Sequence, residues 1–153
     1  MHKLNKRDYL NILILCLLYL FVVFLITHGT NMYGSSTDWA RQHWSIPEYF
    51  RTLFYHTGNL LPDFAPNLGG GQNIFYFAYY GFLSPIILIS YLLPNVQMYD
   101  YIMISTIITG LLSAGLFYKW LKNNNYSTKI CFLASAIFVC ASPLIFHSHR
   151  QIM

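Results

Sequence analysis

The feature that most constrains the fold of this chain is a nearly continuous apolar segment close to the N-terminus, residues 10–26, broken only by Asn11 near its start. As an α-helix this segment is about 25 Å long, which with Thr27 and slight thinning of the bilayer is enough to cross a membrane. No small-x-small cleavage site ends the segment before Thr27, so an uncleaved anchor is expected rather than a signal peptide.

The composition agrees with a membrane protein. Hydrophobic residues make up 56% of the 153 residues and charged residues only 9%, whereas a soluble domain carries about 25% charged residues. The net charge of +4 does not indicate nucleic-acid binding, because the basic residues cluster at helix ends instead of lining a groove. Cys16, Cys131 and Cys140 lie in apolar runs without a Cys-x-x-Cys pair, so they are interpreted as small, buried, apolar side chains.

Two further apolar segments, 101–118 and 130–146, are predicted to form a transmembrane hairpin around a basic turn. A third segment, 82–93, is only about 18 Å long as a helix and is too short to span. If it does not span, the cytoplasmic side receives a cluster of six basic residues and the outside receives four acids, as the positive-inside rule favours. The six are Lys3, Lys6, Arg7, Lys119, Lys122 and Lys129, and the acids are Asp38, Glu48, Asp63 and Asp100. The sequence therefore predicts an all-α, polytopic membrane protein with three transmembrane helices, an N-terminus in the cytoplasm, and a re-entrant or interfacial helix at 82–93.

The large first outer loop, residues 27–100, is predicted to carry function, since structureless loops of such length are uncommon. Ser45 and Glu48 have the spacing of a capping box and predict a helix over 45–58. Its apolar residues share one face, so this helix is expected to lie flat on the membrane surface. A turn-rich ribbon follows at 61–73.

Asp38 is the main candidate for chemistry, because it lies just after the first span, at the expected boundary between membrane and water. Its carboxylate could act as a general base or hold a divalent metal. The alternatives are a solvated loop acid and a helix cap, since residues 35–38 also resemble a helix start. Arg41 and His43 are secondary candidates for substrate binding, and a weak functional role is assigned to Trp39 and Trp44.

Other candidate binding residues lie further along the chain. His147, His149 and Arg150 follow the third predicted span and could bind a lipid phosphate, although interfacial snorkelling explains them equally well. Gln72 and Asn73 follow three glycines and offer amides that recognise hydroxyl groups. The glycine run is not a phosphate-binding P-loop, because it lacks the Gly-Lys-Ser/Thr ending. No zinc site is predicted, since His-x-His supplies only two ligands.

Several separated motifs, taken in order, resemble the N-terminal part of the bacterial YfhO family. They are Ser36-Thr37-Asp38-Trp39 with Gln42-His43, Ile46-Pro47-Glu48-Tyr49-Phe50-Arg51, Asn67-Leu68-Gly69-Gly70-Gly71-Gln72-Asn73, Tyr80-Gly81-Phe82-Leu83-Ser84-Pro85 and Phe146-His147-Ser148-His149-Arg150-Gln151. The resemblance extends over nearly the whole chain. It implies that the chain is the front of a longer protein and is inactive by itself.

The YfhO family is similar to the GT-C glycosyltransferases, which take a sugar from a polyprenyl-phosphate carrier on the outer face of the membrane. The resemblance implies transfer to an envelope polymer such as teichoic acid, with Asp38 at the position of the catalytic acid. Relatives often have a second acid two residues earlier, where this chain has Ser36. This difference favours a lone base over a two-carboxylate metal site, so no cofactor is assigned beyond the open alternative of a divalent metal.

The implied mechanism is inverting: Asp38 deprotonates the acceptor hydroxyl, and Arg150, His147 and His149 stabilise the departing phosphate. Two other classes remain open. A transporter component for lipid-linked sugars would need polar groups within the spans, and these are few. A non-catalytic membrane scaffold would use the outer loop to bind a partner and would not need Asp38.

Overall fold

The computed structural model describes residues 4–30, 33–34, 37–141 and 144. It is mostly helical, as predicted, and divides into two compact units. Among the described residues, the helix unit comprises 4–30, 33, 106–141 and 144, and the loop unit comprises 34 and 37–105. In chain order the elements are α1 (Lys6–Thr30), a π-helix (Trp39–His43), α2 (Ser45–Thr57), β1 (Phe64–Ala65), β2 (Gln72–Asn73), a 3₁₀ helix (Ile74–Tyr80), α3 (Pro85–Ser90), α4 (Met98–Asn123) and α5 (Thr128–Val139).

Two helices in the described part of the chain are long and apolar enough to cross a membrane. They cover Lys6–Gly29 in α1 and Met98–Asn123 in α4. α5, at Thr128–Val139, is a shorter apolar helix, and the rest of the predicted third span lies largely outside the described residues. Three spans therefore remain a prediction. In the short apolar segment 82–93 the structure has only the six-residue helix α3, followed by turns.

Helices α1, α4 and α5 pack together in the helix unit. One buried cluster contains Leu15, Tyr118 and Cys131, and a second contains Tyr19 and Val139. Gly110 on α4 permits one close approach, because a Cβ atom there would overlap the ring of Tyr19. The opposite face of α1 leaves large apolar side chains exposed, which suits contact with lipid. All three cysteines are free, but Cys140 is exposed, so its interpretation as a buried side chain is wrong.

A buried polar cluster near the start of α1 was not anticipated from the sequence. Asp8 is 1% exposed and accepts a 2.7 Å hydrogen bond from the Tyr118 hydroxyl. Its Oδ1 also lies 3.5 Å from Lys122 Nζ. The start of α1 and the end of α4 are therefore at the same end of the helix unit.

The core of the loop unit is built around α2. Its buried residues are Ile46, Phe50, Ala65, Ile74, Tyr80 and Phe82. Strands β1 and β2 pair antiparallel, with Phe64 opposite Asn73. The predicted membrane-lying face of α2 is wrong for Ile46 and Phe50, which are 8% and 1% exposed. These side chains pack against the loop's own apolar residues, and that core already removes them from water.

The ends of α2 differ in part from the expected capping. Gly58, in the left-handed conformation at φ 68°, ends the helix, and its N–H donates to the carbonyl of Phe54. This ending, the αL motif with one bond back to the helix, is typical of glycine. The capping box at the start is wrong, since Trp44 is the N-cap and makes no side-chain capping bond. Ser45 instead donates to the Arg41 carbonyl at 2.6 Å, and Glu48 pairs with Arg51.

Candidate functional site

Asp38 immediately precedes the π-helix Trp39–His43 in the loop unit. It is half-buried, has helical backbone angles, and makes no side-chain capping hydrogen bond. The helix-cap alternative for this carboxylate therefore does not hold. Single π-turns are rare and occur frequently at functional sites. Asp38 is thus held at the start of the π-helix in a partly exposed position.

The aromatic residues around Asp38 anchor this turn. Trp39 is fully buried, and its ring meets Tyr99 edge-on, with centroids 5.7 Å apart. Trp44, just after the turn, meets the same Tyr99 ring at 6.4 Å. Gly34 has φ 86°, and a Cβ atom there would come within 2.5 Å of the Trp39 indole. Glycine is therefore required for this close approach, and Trp39 acts as a core anchor rather than a ligand-facing ring.

His43 and Gln42 connect the same turn to the 3₁₀ helix. His43 is 0% exposed, and its ring lies 6.1 Å from that of Tyr80. The Tyr80 hydroxyl donates a 2.6 Å hydrogen bond to Gln42 Oε1. Burial raises the pKa of Tyr80 to about 12, and a hydrogen bond with Tyr79 and the nearby Asp38 carboxylate add to the effect. Tyr80 therefore remains a protonated donor at neutral pH and holds the turn beside Asp38.

The other predicted binding residues are placed differently. The Arg41 side chain is exposed on the π-helix. Gln72 donates to the carbonyl of Gly69 at 3.0 Å, and Asn73 accepts from the N–H of Phe75 at 2.9 Å. Asn73 therefore caps the 3₁₀ helix, and both amides stabilise local structure. His147, His149 and Arg150 lie outside the described residues.

The candidate divalent metal does not fit the described residues. No group of three or more His, Cys, Asp or Glu side chains in the described part of the chain could hold a metal ion. Asp38 also lacks the second carboxylate that would complete a two-acid site, since the residue two positions before it is Ser36. No step of the chemistry below is assigned to a metal.

Arg51 and Glu48 form a partly buried ion pair that was not predicted from the sequence. Arg51 Nη2 lies 2.6 Å from Glu48 Oε2 and donates to the carbonyl of Val96 at 2.8 Å. Its Nη1 donates to the carbonyls of Ser90 and Leu93 at 3.4 and 3.3 Å. The arginine thus ties α2 to the chain between α3 and α4. The spacing of three residues between opposite charges was a signal for the pair, but no local pattern predicted the distant carbonyls.

The fold and the site together define an integral membrane protein whose first long loop folds into a unit with an acid at its surface. The chain belongs to the YfhO family, since the family model described as bacterial membrane protein YfhO matches residues 10–152. The resemblance seen in the sequence is confirmed by this match. Searches of curated proteins and of solved structures found no match to the chain.

Proposed function

We propose that this protein is a membrane glycosyltransferase of the GT-C type, which transfers a sugar from a polyprenyl-phosphate carrier to an envelope polymer such as teichoic acid. The reaction takes place on the outer face of the bacterial membrane, and the N-terminus lies in the cytoplasm. Membership of the YfhO family over residues 10–152 supports a glycosyltransferase-like role. The carrier, the acceptor and the roles of individual residues are the finer parts of this proposal.

The observation that carries the proposal is the placement of Asp38. A general base must be reachable by substrate yet held in a fixed position. Asp38 is half-buried at the start of a π-helix, and the next residue, Trp39, is locked into the core. The hydrogen bond from Tyr80 to Gln42 holds the same helix from its other side. These contacts fix the backbone of the carboxylate without covering it completely.

In the proposed reaction Asp38 accepts the proton of the acceptor hydroxyl as that oxygen attacks the anomeric carbon of the donor sugar. The new bond from acceptor oxygen to anomeric carbon forms while the bond from that carbon to the phosphate oxygen breaks. The electron pair leaves with the polyprenyl phosphate, and the anomeric configuration inverts. Arg41 is one exposed cation beside the base, and His147, His149 and Arg150 are further proposed partners for the phosphate.

The test is the variant Asp38→Asn in the chromosomal gene of the producing bacterium, with Asp63→Asn as its matched control. Asp63 is an exposed acid of the same loop unit. NMR of the extracted envelope polymer measures its sugar content. Loss of the sugar in Asp38→Asn, with membrane abundance of the protein unchanged and Asp63→Asn normal, is the expected result. A normal sugar content in Asp38→Asn would refute catalysis by Asp38 and favour the scaffold alternative.

A further inference from the structure

A cavity of about 310 Å³ lies in the loop unit between α2 and the turn that precedes α4. This volume is at the small end of the range for ligand pockets, about 300–1,000 Å³, and suits a ligand the size of one sugar ring. Its walls combine an indole from Trp44, the carboxylate of Glu48 and the amide-bearing residues Asn95 and Gln97. Trp44 was assigned a weak functional role from the sequence, and no site was predicted at the other three residues.

Glu48 has one carboxylate oxygen left to receive a ligand. Both of its hydrogen bonds, from Arg51 Nη2 at 2.6 Å and from the N–H of Met98 at 3.2 Å, end on Oε2. Oε1 accepts no hydrogen bond from the described residues, and the Glu48 side chain is 33% exposed. An ionised carboxylate forms strong hydrogen bonds with hydroxyl donors, so Oε1 is suited to bind a hydroxyl group.

The electrostatics of the cavity disfavour an anion. The Arg51 charge is compensated by Glu48, and its two Nη atoms already make four hydrogen bonds, to Glu48 and three backbone carbonyls. A phosphate or carboxylate entering the cavity would meet the Glu48 carboxylate and find the Nη donors occupied, while the remaining donor, Nε, is buried. A neutral ligand with several hydroxyl groups meets no such repulsion and can use the carboxylate as an acceptor.

Trp44 supplies the apolar part of the wall. Its ring is held by the edge-on contact with Tyr99, so it presents a rigid surface. A pyranose has one face of C–H groups and a rim of hydroxyls. It therefore fits a site in which an aromatic ring packs on the C–H face and nearby polar groups bind the hydroxyls. Trp44 with Glu48, Asn95 and Gln97 offers this combination within one cavity.

We propose that this cavity binds a neutral sugar, with Trp44 packing on the ring and Glu48 Oε1 accepting a hydroxyl hydrogen bond. The ring of Tyr99 contacts both Trp44 of the cavity and Trp39, the residue that follows Asp38. That the sugar takes part in the transfer reaction rests on the function proposed above. The binding itself is a separate property and is measured without transfer.

Saturation-transfer difference NMR on the full chain in lipid nanodiscs tests the inference. The probes are glucose, galactose and N-acetylglucosamine, with glucuronate and inorganic phosphate as anionic comparators. At least one neutral sugar is expected to bind and both anions are expected not to. Trp44→Ala should abolish saturation transfer to the ring C–H groups, and Asn95→Ala should weaken binding about five-fold, as expected for one lost hydrogen bond.

The controls are Trp120→Ala, at an exposed indole of α4, and Asn67→Ala, at an exposed loop amide. Both should bind as the unmodified chain does. Asn95 is itself exposed, so Asn95→Ala tests the cavity even if Trp44→Ala fails to fold. Absence of neutral-sugar binding, preferential binding of phosphate or glucuronate, or an unchanged affinity in Asn95→Ala would overturn the inference. Sugar binding that persists while Asp38→Asn leaves transfer intact would overturn only the proposed function.

Discussion

Replacing Arg51 with methionine should destabilise the loop unit, because this arginine ties α2 to the chain between α3 and α4. The substitution keeps a side chain of similar length at a position that is only 2% exposed, and it replaces the charged end by an apolar one. It removes the guanidinium that bonds Glu48 and the carbonyls of Ser90, Leu93 and Val96. The change thus isolates the polar contacts from the packing.

The expected loss of unfolding free energy follows from the two shortest of these hydrogen bonds, at 2.6 and 2.8 Å. A hydrogen bond to a charged group contributes about 1.5–3 kcal/mol, so two of them contribute about 3–6 kcal/mol. Glu48 is 33% exposed and regains water once the arginine is lost, which lowers the upper limit. A cost of about 3–5 kcal/mol results, in the range for breaking one partner of a buried ion pair.

Thermal unfolding in nanodiscs measures this cost. At about 2–4 °C per kcal/mol, Arg51→Met should lower the melting temperature by roughly 6–20 °C. Arg41→Met is the matched control, since Arg41 is exposed, and it should change stability by less than about 0.5 kcal/mol. Hydrogen exchange should also accelerate at the amides of residues 90–98. Equal melting temperatures for the two variants would refute the assigned role of Arg51.

Three further outcomes are expected. Lys122→Met should cost about 1.5–3 kcal/mol in thermal unfolding, because the buried Asp8 carboxylate loses its counter-ion but keeps the hydrogen bond from Tyr118. Lys129→Met, at an exposed lysine, should cost little, and equal effects would exclude a structural ion pair. Gly110→Ala should cost about 1–3 kcal/mol in thermal unfolding, because the added Cβ overlaps the ring of Tyr19. Gly115→Ala should be better tolerated, since its added Cβ meets only an ordinary 3.6 Å contact. The reverse order would contradict the packing of α4 against α1. Asn124→Cys, in a background without the native cysteines, should resist impermeant thiol reagents added to intact cells, and labelling there would overturn the predicted topology.

The membrane class and the positions of the long helices were predictable, because a long apolar run is stable only where it is removed from water. The span beginning at Leu10 could be inferred from length and hydrophobicity alone. The helix α2 could also be anticipated, and it lies at Ser45–Thr57, against a predicted range of 45–58. The surface against which α2 packs was not predictable, because an amphipathic face fits a membrane surface and a protein core equally well.

The polar contacts were harder to predict because they join residues distant in sequence. Arg51 bonds carbonyls some forty positions away, and Asp8 meets Lys122 and Tyr118 across the helix unit. Backbone carbonyls have no residue-specific signature, so no pattern identified them. The π-helix after Asp38 was likewise hidden, since its conformation depends on the burial of Trp39 and His43 in the folded loop unit.

The central claim, that Asp38 is the base of a sugar transfer, is tested most directly by measuring the transfer rate. Membranes that contain the unmodified chain, Asp38→Asn or Asp63→Asn at equal abundance are given a radiolabelled polyprenyl-phosphate sugar, and label in the envelope polymer is followed with time. A general base contributes typically about 10²–10⁴-fold to the rate. A loss of this size in Asp38→Asn alone is the predicted result, and equal rates in all three membranes would contradict the account.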